Sequence, residues 1–411
     1  MSDYYDNLEI REPERRNREL IAAVSSQVRY AQHHSPAYAA LLEGVEPERL
    51  DSPEAIARLP LTRKSELLEL QKKRPPFGDF SPLSGPELAY IFASPGPIYE
   101  PGSRRVNAWR LARAMFAAGF RSGDLVHNSF SYHLTPAGAM MDSGALALGC
   151  TVIPAGVGQT ELQARTIADL KPSGYTGTPS FLKIIFDKAD ELKITAESIR
   201  RALVSGEALP PPLREYFDAR GVQVSQCYAT ADLGLIAYET EAREGLIIDE
   251  RIYLEIVRPG TPDLVADGEV GEVVVTSLNP DYPLIRFATG DLSAILEGTS
   301  PCGRTNRRIK GWMGRADQTA KVRGMFVHPS QVNEIAQRFP EIGRVRLVVD
   351  WQQQQDSMTL ECECDQGTDG LRDAVATAIR EICKVRGEVR FRSPGSLPND
   401  GKVIDDIRRY E

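Results

Sequence analysis

From Gly123 to Tyr228 the chain alternates short apolar runs of strand length with longer amphipathic runs of helix length. This alternation is the strongest constraint on the fold, because strands joined in succession through helices lie parallel in a sheet that the helices cover. DLVHNSF, CTVIPA, GYTGT, IRRALVSG and VQVSQCY are the strand segments, and residues 136–148, 160–170, 180–192 and 211–219 are the helices between them. A sheet wound in this way carries its ligands at the carboxyl ends of its strands.

The flanking regions are patterned differently. Residues 12–47 place Leu20, Ile21, Val24, Val28 and Ala31 at helical spacing, with Pro36 near a break. After Thr240 the pattern turns β-rich, with RIYLEIV, GEVGEVVVTSL and PLIRF separated by Gly, Pro and Asp turns. Beyond Asp317 come a short helix near residues 329–339, the strands VRLVVD and MTLECEC, a helix over 370–383 and the strand EVRFR. At 411 residues the chain exceeds a usual single domain. The expected fold class is α/β, with a large N-terminal domain of parallel sheets and a β-rich subdomain over residues 1–316. A small α+β C-terminal domain over residues 317–411 completes it.

Composition narrows the partners. A net charge of -8 argues against nucleic acid, since a polyanion needs clustered Lys and Arg to offset repulsion. No apolar run approaches the ~20 residues of a spanning helix, and the polar start MSDYYDNLEIREPERR lacks a signal-peptide core. A cytoplasmic protein with no membrane partner is the expectation. The six cysteines are scattered, which fits reduced thiols; Cys362 and Cys364 share a strand face but have no further soft ligands in the sequence.

The densest chemistry lies between Pro283 and Gln331, where PLIRFATGDL leads into GRTNRRIKGWMGRADQTAKVRGMFVHPSQ. Asp291 follows a Thr-Gly pair after an apolar strand, a context in which a carboxylate can accept hydrogen bonds from ribose hydroxyls. Arg315 comes next, with a guanidinium suited to the same nucleotide. Asp317 and Gln318 open a polar break before the smaller unit. Earlier, SGEAL (Ser205, Gly206, Glu207, Ala208) and QCYATAD (Cys227, Tyr228, Ala229, Thr230, Asp232) close adjacent predicted strands. There Tyr228 can offer its ring to an adenine, Thr230 its hydroxyl to a phosphate, and Asp232 an oxygen to magnesium. The competing reading makes Tyr228 a core residue and Asp232 a helix cap.

The order PLIR-x-x-TGDL, CGRT-x-RRI, GR-x-D, RG-x-x-V-x-PSQ and a late Gly-Lys resembles the phenylacetate-CoA ligases of the adenylate-forming (acyl-CoA synthetase and luciferase-like) superfamily, over nearly the whole chain. The resemblance implies an enzyme that activates a carboxylic acid, aromatic by analogy, with ATP and Mg2+, and passes the acyl group to CoA. It implies Asp291 on ribose, Arg315 on the nucleotide, Lys402 as the essential lysine of a mobile C-terminal lid, Asp317 as its hinge, and Arg323 and Gly324 facing CoA. A lysine on a closing lid suits that chemistry, since negative charge builds on the α-phosphate as the carboxylate attacks. NSFSYHLTPAG matches the segment lining the acyl pocket, which nominates Phe130, Tyr132 and His133; ordinary packing at a strand-to-helix turn is the competing account of each. A homodimer is compatible with the family.

Three departures qualify this picture. ASPGPIYEP, residues 93–101, stands where the family has Ser-Ser-Gly-Thr-Thr-Gly-Lys-Pro, and retains Ser94, Gly96 and Pro101 as phosphate-loop residues. The added prolines remove N–H donors and Glu100 brings a negative charge, with Arg104 and Arg105 just beyond it. Tyr-Gly-x-x-Glu has become Tyr228-Ala229 with Asp232, a shorter carboxylate for the metal. The structural zinc site of some relatives reads Thr240, Ile247, Ser300 and Cys302, and one thiol does not hold zinc, so no structural zinc is expected. Two alternatives stay open: adenylation with an acceptor other than CoA, and a catalytically weak protein that binds nucleotide or acyl-adenylate.

Overall fold

The computed structural model describes residues 3–94, 98–258, 261–313, 316, 320–323, 325–327, 329–352, 355–398 and 402–408. The chain divides into two compact units, Met1–Thr289 with Ser293–Trp312, and Gly290–Leu292 with Met313–Glu411.

The first unit begins with the helix Pro13–His34, started by Pro13 in its first turn and by Glu12, whose carboxylate accepts from the amides of Glu14 and Arg15. Val24, Val28 and Ala31 are buried along one stripe, as their spacing predicts. Ser35 then ends this helix and caps the next, Pro36–Leu41, by accepting from the Tyr38 amide.

A nine-stranded sheet follows, in the spatial order Ile295–Leu296, Arg308–Ile309, Leu246–Ile248, Gly234–Tyr238, Gln223–Thr230, Arg201–Val204, Gly174–Gly177, Leu125–Asn128 and Thr151–Pro154. From Gln223–Thr230 to Thr151–Pro154 all neighbours run parallel, as the alternation requires. Gln223–Thr230 is the junction, since its other neighbour Gly234–Tyr238 is antiparallel. The crossover helices are the expected ones: Ala137–Ala147, Thr160–Leu170, Pro179–Leu192 and Pro211–Ala219. Pro179–Leu192 shows why. Thr178 accepts from the Phe181 amide at its start, and Leu182, Ile185, Phe186 and Ala189 bury one face at helical spacing.

The β-rich region forms a four-stranded sheet ordered Thr62–Arg63, Phe287–Ser293, Gly271–Ser277, Ile252–Val257. Here the sequence expectation needs correcting. PLIRF is not the strand; the strand starts at Phe287 and runs through the Thr-Gly-Asp triplet, so Asp291 lies within it and is buried. The cause is Arg286, which takes a left-handed φ of 42°. Its fully buried guanidinium donates to Glu255 at 3.0 Å, to the carbonyls of Ala57 and Leu59 at 2.6 Å each, and to that of Pro262 at 3.1 Å. Next to it, the Tyr38 hydroxyl accepts from the Ile285 amide, and the Thr62 amide donates to the Arg286 carbonyl. An antiparallel hairpin of Leu88–Ser94 and Ile98–Ser103 carries the segment read as a phosphate loop. No helix among the described residues is long and apolar enough to cross a membrane.

In the second unit, Glu388–Arg392, Gln355–Glu363, Val345–Gln352 and Ile404–Asp406 form a sheet in that order, with the helices Pro329–Arg338 and Asp369–Cys383. Its core joins Val332, Ile335, Leu347, Leu360, Val375 and Ile379. Cys362 is buried in that core, and burial pushes its thiol up to about 12, so it behaves as a small apolar side chain.

Candidate functional site

Four neighbouring strands of the nine-stranded sheet end in residues that converge. Phe130 follows Leu125–Asn128, Thr178 follows Gly174–Gly177, Ser205 and Gly206 follow Arg201–Val204, and Thr230 closes Gln223–Thr230. Gly206 has φ +82°, and a Cβ placed there would meet Thr178 Cγ2 at 3.8 Å and the Phe130 ring at 4.0 Å. The Phe130 turn is shaped by Asn128. Its Oδ1 accepts from the Phe130 amide at 3.1 Å and from Thr176 Oγ1 at 3.0 Å, and its Nδ2 reaches the Tyr132 hydroxyl and Asp142 at 2.8 Å each. Tyr132 in turn donates to Asp142 at 2.8 Å, and burial together with that carboxylate holds its phenol well above the usual range. His133 is exposed and is not among the residues around Gly206.

Ser205 Oγ donates to the Cys227 carbonyl at 2.8 Å and so ties two strand ends together. Burial pushes the Cys227 thiol up to about 12, leaving that position to its backbone. A register shift between Tyr228 and Ala229 turns the strand at the junction, and the Tyr228 hydroxyl donates to Thr289 Oγ1 at 3.3 Å. Thr230 Oγ1 accepts from the Leu233 amide at 3.2 Å, which closes the turn into Gly234. That glycine has φ +74°, and a Cβ on it would sit 2.8 Å from the Trp109 carbonyl. Glu207 and Ala208 are exposed beyond the strand end.

Asp232 is buried, and its Oδ2 lies 2.8 Å from Lys64 Nζ. Sequence reasoning missed this lysine. A signal was present, because Lys64 opens the helix Lys64–Lys73, a position where the helix dipole disfavours a cation and some acidic partner is called for. The other Asp232 oxygen, Oδ1, is buried without a hydrogen-bond partner, and a hard carboxylate oxygen left open in this way fits a magnesium ion. Ser94 does not present its hydroxyl outward: it is buried and donates to Glu100. Burial, and then the charge of Asp232, push the Glu100 carboxyl up to about 8.

In the second unit, Lys402 Nζ rests 3.0 Å from Asp405 Oδ1. The Arg323 amide donates to Asp356 Oδ2 at 2.7 Å and its Nε to the Asp356 carbonyl at 3.0 Å. Beside Asp291, the carbonyl of Gly290 accepts from the Ala316 amide at 2.6 Å. Gly96, Arg315, Asp317 and Gly324 lie outside the described residues. Cys302, in the first unit, has Ser300 Oγ at 3.0 Å and hydrogen-bonds Thr240, which are neutral hydroxyls, and no group of three or more His, Cys, Asp or Glu among the described residues could hold a metal.

Comparison with known proteins adds to this geometry. Residues 108–279 match the profile of the AMP-binding enzymes, and residues 324–406 match the AMP-binding enzyme C-terminal domain. A phenylacetate-coenzyme A ligase of Thermus thermophilus is 30% identical over 93% of this chain and 94% of its own length. One from Aromatoleum evansii is 31% identical over 82% of this chain and 79% of its own. The crystal structure of a 2-hydroxyisobutyryl-CoA ligase in complex with 2-HIB-AMP and CoA superposes with a TM-score of 0.82 at 26% identity, covering 100% of this chain and 93% of that one.

Proposed function

The chain belongs to the phenylacetate-CoA ligase-like branch of the adenylate-forming enzymes and is an acid–CoA ligase; from that premise we propose that its acid is aromatic and is received at the strand ends around Phe130. The observation that carries this reading is the meeting of the Phe130 ring, Thr178 and the Cβ-free Gly206 at the carboxyl edge of the parallel sheet, where an aromatic side chain is at hand for a flat ring.

ATP binds with its adenine against Tyr228 and the backbone of Ser205–Ala208, and Asp291 with Arg315 holds the ribose. The acid's carboxylate oxygen attacks the α-phosphorus, a new O–P bond forms, and the bond to the β-phosphate breaks to release pyrophosphate. Thr230 steadies the phosphate through its hydroxyl. Asp232 holds magnesium, whose charge, when bound, offsets that of the phosphates. Lys402 supplies an ammonium to the charge that develops on the α-phosphate. In the second step the CoA sulfur attacks the acyl carbon and AMP leaves, with Arg323 and Gly324 on the CoA side and Asp317 taking the backbone change between steps.

A second reading, a small hydroxylated acid, is favoured by the polar Asn128–Tyr132–Asp142 network beside Phe130 and by the likeness to the 2-hydroxyisobutyryl-CoA ligase. Pyrophosphate release measured over aryl, arylacetic and short hydroxylated acids decides between them. Turnover confined to the short acids would sink the aromatic reading. With the best aryl acid, Phe130→Ala is expected to lower kcat/KM roughly 10- to 200-fold, the worth of a well-filled apolar contact, with KM for ATP unmoved. A matching rise in KM for ATP would instead mean that Phe130 supports the nucleotide side.

A further inference from the structure

The hairpin of Leu88–Ser94 and Ile98–Ser103 is a two-stranded sheet of its own, paired with neither larger sheet of its unit. Two strands alone are marginally stable in water, so contacts outside the hairpin must hold it in place. Two of these are a backbone bond and a ring contact. The Ala93 amide donates to the Leu134 carbonyl at 2.8 Å, and the Phe92 ring meets Trp109 edge-on at 5.9 Å. The Trp109 carbonyl accepts in turn from the Leu235 amide at 2.9 Å, just past the Thr230–Gly234 turn. A third contact comes from a side chain. Gln71 Nε2 donates to the Tyr99 carbonyl at 2.8 Å and Gln71 Oε1 accepts from the Tyr99 amide at 2.8 Å, so one amide pairs with the outer edge of Ile98–Ser103 as a neighbouring strand would. Tyr99 is the second residue of that strand, close in sequence to residues 95–97 between the two strands. Gln71 is 4% exposed and shares one face of the helix Lys64–Lys73 with the fully buried Leu67 and with Lys64, which reaches Asp232 at 2.8 Å. A buried helix face favours an apolar residue over an amide unless both ends of the amide are bonded, as they are here.

We propose that Gln71 is a positioning residue for ATP, which fixes the hairpin where residues 93–101 receive the phosphates. This rests on the reading of that segment as the phosphate loop and adds to it the side chain that sets its place. The prolines at 95 and 97 take two N–H donors from the segment, so fewer of its own groups can close around a phosphate. Placement by the scaffold then counts for more. Gln71 acts through the Tyr99 backbone, and the effect of losing it follows from population. Where the hairpin holds the receptive position in only about a tenth of the molecules, the apparent affinity for ATP falls about tenfold. Saturating ATP draws the hairpin back, so kcat and the KM for the acid stay near their wild-type values. A general loosening of the fold does the opposite: it lowers the amount of active enzyme, and with it kcat, and leaves the KM for ATP where it was.

The test is steady-state pyrophosphate release by the full-length protein with its best acid, joined to hydrogen exchange at the Tyr99 amide. Gln71→Met keeps the length of the side chain and removes both bonds. It is expected to raise the KM for ATP about tenfold, to keep kcat and the KM for the acid within about twofold, and to speed exchange at Tyr99. Gln32→Met is the control, since Gln32 also makes two such bonds, to the carbonyls of Leu42 at 3.0 Å and Val45 at 2.9 Å. Its KM for ATP should equal that of the wild type. Should Gln71→Met fail to fold, Gln71→Glu takes its place, keeping an acceptor for the Tyr99 amide, and a higher KM for ATP is again expected. An unchanged KM for ATP in a folded Gln71 variant overturns the proposal, and so does a fall in kcat alone. Gly96→Val, placed between the two strands, separates this failure from that of the reading beneath it. A raised KM for ATP in Gly96→Val with none in Gln71→Met removes the role of Gln71 alone, whereas no rise in either removes the phosphate-loop reading as well.

Discussion

Replacing Lys402 by alanine is expected to cut acyl-adenylate formation by about 100- to 1,000-fold, the usual cost of losing one donor aimed at developing charge, while thioester formation from a supplied acyl-adenylate keeps near its wild-type rate. The asymmetry follows from where charge develops. Attack on the α-phosphate builds negative charge that an ammonium neutralises, and attack of the CoA sulfur on the adenylate does not need that cation. The structure shows one contact that the lysine gives up. Its side chain is 54% exposed and its Nζ lies 3.0 Å from Asp405, a surface ion pair worth about 0–1 kcal/mol. So weak a contact is readily exchanged for a polyphosphate. Pyrophosphate exchange and CoA-thioester assays on the same variant measure the two steps, and equal loss of both refutes the assignment.

Arg286→Ala should destabilise the protein by about 3–5 kcal/mol at neutral pH, because it strips the only ion-pair partner among the described residues from Glu255 inside the core. That is a large share of the roughly 5–15 kcal/mol that keeps a domain folded, and soluble yield should fall with it. Lysine does not substitute, since an ammonium lacks the planar fork that reaches Glu255 and three carbonyls together. The deficit depends on pH in a definite direction. Burial holds the Glu255 carboxyl above its ordinary 4.5, so its protonated form favours the folded state; that contribution is full below 4.5 and is lost as pH rises through the folded value. The variant's deficit is therefore smallest in acid and grows towards neutrality. Guanidinium unfolding at several pH values checks it, and a loss under about 0.5 kcal/mol would refute the role, as that is the range of surface substitutions.

The alternating region was legible because its signals are local. Thr160–Leu170 and Pro211–Ala219 could be bounded to the residue from spacing and from proline or polar starts, and their order alone put SGEAL and QCYATAD on adjacent strands. Where spacing misled, the deciding contact was distant. PLIRF has the composition of a strand, yet Arg286 answers to carbonyls as far as 229 residues away and takes a left-handed backbone to reach them. The same holds at the site. Glu100 reads in sequence as a charge that repels phosphate, and only the fold buries it with Ser94 donating to its carboxylate; Lys64 reaches Asp232 across 168 residues. Isolated acids and bases carry no address in a single sequence, and their pairing appears when the sheet and the hairpin are assembled.

The bonds around Arg286 also order events during synthesis. The segment ending near Thr62 leaves the ribosome long before the residue that will gather its carbonyls, and at ~5–20 residues per second the 229 positions between Ala57 and Arg286 correspond to roughly 10–50 s. For most of that interval the N-terminal helices have an apolar stripe and not yet the strands of the two larger sheets whose buried residues share its core, the first of which begins at Gly234. Nascent chains shorter than 286 residues should thus be cleaved within that segment by a dilute protease, with protection arising only in longer ones; early protection would show that the segment finds shelter without Arg286. The opening and the second half of the first unit mature as one closure, which makes the first sixty residues a poor place to truncate.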